Sequence, residues 1–268
     1  MIPAISVDQA IARLEATIAE VGVDRAALAT DGDGTLWTHD VGEALFDEIL
    51  EAGLVGEPAR AARLAEADAH GVNVADRSDP TAIARTLFDA YVALRFPEDR
   101  MCAAMAWCMA GMRAEVLAAF CDDVLLRSFR LRERWIAESH ELLRWAAARS
   151  LPIWLVSASP FAVVDRAAAL VADAACIAPP RVIAMTPRLV EGVIAPAIEG
   201  IWPYGEGKRT ALLSALEHER RVVVAAMGDN VFDAPMLRLS HLPLAIRPKP
   251  ALARVAAEIP GLLRLAGQ

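Results

Sequence analysis

The chain has 268 residues, 56% of them hydrophobic and 23% charged, and carries a net charge of −8. That composition suits one large domain or two modest ones with a substantial core, and excludes a disordered chain. The acidic balance also argues against nucleic acid or an anionic membrane as a partner, because both favour basic surfaces. An anionic small substrate stays compatible with it, since a bound Mg²⁺ and one lysine reverse the field locally.

Cys102, Cys108, Cys121 and Cys176 form no CxxC pair and no Cys/His ligand pattern, as expected of free buried thiols in a reducing cytoplasm. Glu15 and Glu20 interrupt any apolar run that would make the N-terminus a secretion signal. No apolar stretch is long enough for a membrane span of about 18 residues or more. A cytoplasmic protein, monomeric or homodimeric, is the expectation.

In chain order, Ser6 to Val21 predicts an amphipathic helix, with Ser6 and Gln9 spaced as a capping box. Ala26 to Thr30 predicts a buried strand. From about Val41 to Arg127 the periodicity is helical throughout, with helices expected over Glu43–Ala52, Pro58–Ala69, Thr81–Leu94 and Asp99–Phe120. Met101, Met105, Met109 and Met112 on the last of these are expected to fill the core. A helix from Leu131 to about Arg149 leads into a second strand at Pro152–Val156, followed by helix Phe161–Ala172. Arg181–Met185 predicts a third strand, Leu189 to Ile201 a hairpin, and Thr210–Glu219 a helix. Arg221–Met227 and Leu244–Ile246 predict further strands before a terminal helix. Strands alternating with helices predict a parallel sheet with right-handed crossovers, an α/β core of Rossmann-like type with an all-helical insertion. The core is expected over residues 1–40 and 128–268, and the insertion over 41–127.

The chemistry concentrates where strands end. Asp31 and Asp33 follow the first strand in Asp31-Gly32-Asp33-Gly34-Thr35. Two carboxylates this close repel unless a cation neutralises them, and an oxygen-only setting suits Mg²⁺. One carboxylate can then attack phosphorus while its neighbour handles protons. Ser157 follows the second strand, Lys208 opens a helix in Gly205-Glu206-Gly207-Lys208, and Asp229 and Asp233 follow the Arg221–Met227 strand. In a parallel sheet these ends share one edge, where ligands bind.

These four segments, in this order, resemble the four motifs of the haloacid dehalogenase superfamily, with the match spanning about Ala26 to Pro250. The insertion resembles the C1 cap of that superfamily, and Ser157-Ala158-Ser159 with Gly-Glu-Gly-Lys208 is similar to its phosphoserine phosphatase-like branch. The resemblance implies a Mg²⁺-dependent phosphatase acting on a small phosphorylated metabolite. Asp31 would be the nucleophile and form an aspartyl-phosphate. Asp33 would be the general acid and base, with its main-chain carbonyl on Mg²⁺. Ser157 and Lys208 would hold the phosphoryl group. Asp31, Asp33 and Asp229 would be the metal ligands, and Asp233 would orient the metal shell or Lys208. A phosphotransferase or mutase, a metal-free dehalogenase and a non-catalytic binding protein are the competing readings. The branch also implies a glutamate shortly after the first motif for a substrate amine; Asp40 and Glu43 lie in that region, at a spacing that does not settle the assignment.

Substrate contacts are expected from Trp37, His39 and Glu43 after the first motif, from Trp202 and Tyr204 before Lys208, and from Arg127 and Arg130 where the insertion rejoins the core. Aromatics with an acid suit an amine, whereas the arginines suit a carboxylate or a second phosphate. Hinges are expected near Thr38–Gly42 and Arg127–Arg132.

Overall fold

The computed structural model describes residues 2–267. Strand β1 (Ala4–Ser6) leads into helix α1 (Val7–Val21) and strand β2 (Ala26–Thr30). Five helices follow: α2 (Val41–Glu51), α3 (Arg60–Ala69), α4 (Pro80–Val92), α5 (Glu98–Ala106) and α6 (Ala114–Asp123). Next come α7 (Ala137–Ala148), β3 (Ile153–Pro160), α8 (Phe161–Ala175) and β4 (Arg181–Met185). A hairpin of β5 (Pro187–Val190) and β6 (Val193–Ile198) precedes α9 (Glu206–Glu219), β7 (Val222–Gly228) and α10 (Ala234–Leu237). The chain ends with β8 (Leu242–Ile246), α11 (Pro250–Arg254) and β9 (Leu263–Ala266).

Seven strands form one parallel sheet in the order β1-β9-β8-β7-β2-β3-β4, and β5 and β6 form a separate antiparallel pair. Strand β2 sits centrally between β7 and β3, so the C-terminal ends of these three strands lie side by side; β3 runs on to Pro160, so Ser157, expected just after a strand ending at Val156, lies within it. All five β2 residues are buried. Their side chains alternate between two apolar layers, Ala26 and Leu28 in the larger and Ala27 and Ala29 in the smaller, as the period of two along a strand requires. A strand buried on both faces reads as a continuous apolar run, which is why it was visible in the sequence. Helix α1 is capped as expected: Ser6 Oγ accepts from the Gln9 amide at 3.2 Å and Gln9 Oε1 accepts from the Ser6 amide at 3.1 Å. Among the described residues no helix is long and apolar enough to cross a membrane.

The helical insertion between β2 and β3 is present, and Met101, Met105 and Met109 are buried in its core. The single helix expected over Asp99–Phe120 is divided. Gly111 takes φ +93°, a conformation other residues rarely adopt, and residues 107–113 form a loop. That loop bonds along the hairpin: the Gly111 amide donates to Ile194 O at 2.8 Å, Ile194 to Met112 O at 3.0 Å and Ala114 to Gly192 O at 3.0 Å. The helix expected from Leu131 starts only at Ala137, because Arg130 is left-handed and residues 131–133 make one tight turn. The terminal helix is short and followed by β9, which inserts between β8 and the edge strand β1; neither β1 nor β9 was expected. Both are short, and Ser6 serves the helix cap as well as the strand.

The two connections between sheet and insertion run side by side. The Thr38 amide donates to Arg134 O at 2.9 Å and the Ile136 amide donates to Leu36 O at 3.0 Å.

Candidate active site

Strands β2, β3 and β7 deliver Asp31, Ser157 and Asp229 to one edge, and the first turn of α9 brings Lys208 beneath them. Lys208, only 4% exposed, donates to Asp31 Oδ1 and Asp233 Oδ1, each at 2.6 Å. Asp233 is held rigidly: its Oδ2 accepts the amides of Asp229 at 3.1 Å and Asn230 at 2.9 Å. The two carboxylates outweigh burial and raise the Lys208 ammonium, so it stays protonated. The Asp31 carboxyl also moves up, which for an acid favours the neutral form. Burial raises it, Lys208 pulls it down, and the charges of Asp233, Asp229 and Asp33 push it up again.

Asp33 makes three hydrogen bonds. Its Oδ1 accepts from Trp37 Nε1 at 2.7 Å and from the Val41 amide at 2.8 Å, and its Oδ2 accepts from Ser159 Oγ at 2.7 Å. Burial, then the charge of Asp40, push it up to about 7, against the pull of those bonds. Asp40 caps α2 through the Glu43 amide at 2.8 Å, and burial raises it to about 6. Ser157 Oγ accepts the Ser159 amide at 3.1 Å, and among the described residues no protein acceptor takes its own hydroxyl proton.

Asp31, Asp229 and Asp233 each place a carboxylate oxygen within 4.8 Å of the others. An all-oxygen donor set with this much negative charge fits a hard divalent cation of the Mg²⁺ kind. The backbone makes room for it: Gly34 has φ +77°, and a Cβ there would collide with Asp229 Oδ2. Asp233 has both oxygens committed to Lys208 and to amides, which leaves Asp31 and Asp229 as the available carboxylates. The side chain of Asp33 is not part of this cluster.

A cavity of about 460 Å³ opens above these groups. Asp31, Asp33, Ser157, Lys208, Asp229 and Asp233 all line it, so the six motif residues converge as expected. His39, Glu43 and Tyr204 also line it. Trp37 does not; it is fully buried, spends its indole N–H on Asp33, and packs closely under Gly32. Trp202 lies outside the cavity, with the Arg100 guanidinium 5.0 Å over its ring. Arg127 and Arg130 are not brought to the site either. They end the insertion on the solvent side, where Arg127 pairs with Asp123 at 2.8 Å and Arg130 with Glu133.

The structure adds groups that sequence reasoning did not single out. Ser159 bonds to Asp33. Lys249, just beyond β8, meets Asp229 Oδ2 at 3.0 Å. Its position at the end of the strand beside β7 was the available signal. Tyr91 from α4 and Glu98 and Cys102 from α5 line the far side of the cavity, and nothing in their local sequence marks them.

A model of the haloacid dehalogenase-like hydrolases matches residues 28–238. The chain therefore belongs to that family, and a hydrolase is the class that its fold and converging motif residues define. No functionally curated protein matches the sequence. Solved structures share the fold at low identity. A protein of unknown function from Bordetella pertussis Tohama I is 22% identical, with a TM-score of 0.67 over 90% of this chain and 98% of its own. A probable phosphoserine phosphatase from Vibrio cholerae is 13% identical, with a TM-score of 0.55 over 91% of this chain and 62% of its own. A cytosolic 5′-nucleotidase IIIB bound to cytidine is 13% identical, with a TM-score of 0.54 over 95% and 84%.

Proposed function

We propose that the protein is a Mg²⁺-dependent phosphatase that hydrolyses a small phosphomonoester through an aspartyl-phosphate on Asp31. The observation that carries this reading is the Lys208 ammonium bridging Asp31 and Asp233 at 2.6 Å on the cavity floor, with Asp229 beside them. In this reading residues 41–127 are a helical cap over a core of residues 1–40 and 128–268, because α2, α4 and α5 line the cavity opposite the strand edge.

Mg²⁺, held by Asp31, Asp229 and the Asp33 main-chain carbonyl, would offset the charge of the phosphate and of the surrounding acids. Lys208 holds Asp31 Oδ1, which orients the other oxygen for attack on phosphorus. Two of its ammonium protons are on carboxylates, and the third is free for a phosphoryl oxygen. Ser157 donates its uncommitted hydroxyl proton to a second phosphoryl oxygen. As Asp31 bonds to phosphorus, the ester oxygen leaves with a proton from Asp33. A carboxyl poised near 7 is present in both forms at neutral pH. Asp33, now ionised, takes a proton from the water that attacks the aspartyl-phosphate. Inorganic phosphate leaves and Asp31 is restored. Positioning and charge stabilisation supply most of such catalysis.

The test is phosphate release from p-nitrophenyl phosphate by wild type and Asp31→Asn, each with Mg²⁺ and with EDTA. Release by wild type that needs Mg²⁺ and vanishes in Asp31→Asn is the expected result. Equal release with EDTA, or undiminished release by Asp31→Asn, refutes the mechanism. No release by folded protein points instead to a phosphotransferase, if an added alcohol acceptor restores p-nitrophenol release, or to a non-catalytic binding protein, if it does not.

A further inference from the structure

The cavity is strongly acidic. Seven carboxyl groups line it, against two lysines, the His39 imidazole and no arginine. A phosphate entering that field depends on every cation that can reach it. Lys208 is committed: its side chain is 5% exposed and held by both Asp31 and Asp233. Lys249 is not. Its side chain is 55% exposed, and its ammonium meets a single carboxylate oxygen, Asp229 Oδ2, at 3.0 Å. Among the described residues this is the only ion pair that either Lys249 or Asp229 makes.

The local chain fixes where this side chain starts and leaves its tip free. Lys249 lies in Arg247-Pro248-Lys249-Pro250, just after β8. Arg247 takes φ +42°, a left-handed turn, and the Lys249 amide donates to Asp229 O at 2.8 Å. A proline on either side restricts the main chain. The four-carbon stem keeps its rotatable bonds and ends in a compact point charge with three donors.

Asp229 is also one of the two carboxylates available to Mg²⁺, because both Asp233 oxygens are engaged. An ammonium and a divalent cation on one carboxylate repel each other. Lys249 therefore serves the metal-free protein as the counter-ion of a buried acid. Displaced from Asp229, it has two destinations. One is Glu98, on the roof that α2, α4 and α5 turn to the cavity. Burial raises that carboxyl, and Lys249 is the largest charge drawing it back. The other is a phosphate on the floor. A phosphate monoester carries nearly two charges at neutral pH where Glu98 carries one at most, and it offers three strong acceptor oxygens. The phosphate is the stronger partner.

We propose that Lys249 is a further phosphate-binding residue, uncovered by metal loading: it neutralises Asp229 in the metal-free protein, yields that carboxylate to Mg²⁺, and turns its ammonium to the phosphate of the ligand. This rests on the phosphatase reading of the same site. Metal and phosphate affinities are thereby coupled through one side chain, and phosphate binds best after the metal.

The experiment is isothermal titration calorimetry on wild type and Lys249→Met, both stripped of metal. MgCl₂ is titrated first without phosphate, and potassium phosphate is then titrated into Mg²⁺-saturated protein. The two effects are expected to have opposite signs. Lys249→Met has no ammonium to displace, so its Kd for Mg²⁺ is expected to fall by about fivefold, the upper worth of a part-exposed ion pair. Its Kd for phosphate is expected to rise by about tenfold or more, the worth of a hydrogen bond between charged groups. A Kd does not depend on how much of the preparation is folded, and a residue that only held Asp229 in place would weaken both affinities when lost. If wild type binds Mg²⁺ and phosphate and Lys249→Met shows any pattern other than opposite signs, the inference fails and the phosphatase reading stands. If wild type binds no Mg²⁺, or no phosphate once loaded, both fail.

Discussion

Replacing Lys208 by methionine removes a cation that is buried and bonded to two carboxylates at 2.6 Å. Methionine keeps most of the volume, so the effect is electrostatic. Breaking a buried pair by deleting one partner costs about 3–5 kcal/mol, because the other charge remains buried. In a domain of this size 1 kcal/mol moves Tm by about 2–4 °C, so the expected fall in metal-free buffer at pH 7 is about 6–20 °C. The stranded carboxylates can be neutralised by protons or by a divalent cation. Part of the loss is therefore expected to return at pH 5.5, and part with added Mg²⁺ at pH 7. Activity is not expected to return with stability, since a proton or a second cation does not reproduce the hydrogen bond proposed from Lys208 to the phosphoryl group; a deficit of about 10²–10³ in kcat is expected. Differential scanning calorimetry across pH and Mg²⁺ reads the first effect and phosphate release the second. A Tm for Lys208→Met within about 1 °C of wild type in metal-free buffer at pH 7 would refute the argument that the carboxylates depend on this lysine.

Gly34→Ala places a methyl against Asp229 Oδ2 at a backbone with φ +77°. The backbone strain is about 1–2 kcal/mol, and displacement of Asp229 is expected to raise the Mg²⁺ concentration for half-maximal activity by about tenfold or more, read by metal titration of phosphate release. His140 tests an acid limit on stability away from the catalytic carboxylates. It is buried, its Nε2–H donates to Leu36 O at 3.1 Å, and burial lowers its pKa from 6.5. Below about 6.5 the unfolded chain gains a proton there that the folded chain refuses, so stability falls as pH drops through that window. His140→Gln, which can still donate to Leu36 O, is expected to show a smaller difference between urea midpoints at pH 7.5 and 5.5 than wild type. An equal difference would remove His140 from the account.

Much of the cavity floor was legible because it depends on features a sequence displays. Strands buried on both faces read as apolar runs, and parallel topology puts their ends together whatever the intervening distance along the chain. Asp31, Ser157 and Asp229 were found that way, and Lys208 by its place at a helix start between two strands. The roof was legible only in part. Glu43 and Tyr204 lie close to motifs, but Tyr91 and Glu98 owe their places to how α4 and α5 pack, which no local pattern specifies. Trp37 was misplaced for the opposite reason. Its nearness to Asp31 suggested substrate contact, whereas its size and its N–H made it the buried support of Asp33. The break at Gly111 was hidden by good helical residues on both sides, and the hairpin that stabilises it is some 80 residues further along the chain.

The three backbone hydrogen bonds between residues 111–114 and the β5–β6 hairpin have a consequence for traffic through the site. Gly56 packs so closely on Ala110 from the other side that even a methyl group would not fit. The loop is thereby stitched to the hairpin, while the connections at Thr38 and Ile136 are paired with each other. A cover tied in two places does not swing like a door. If residues 41–127 cover the site as proposed, opening them would either break these three hydrogen bonds or carry the hairpin along with the helices. The hairpin thus belongs mechanically to the insertion although it lies far from it in the chain, and a natural variant that lengthened or shortened it would retune turnover without altering a single group on the cavity floor.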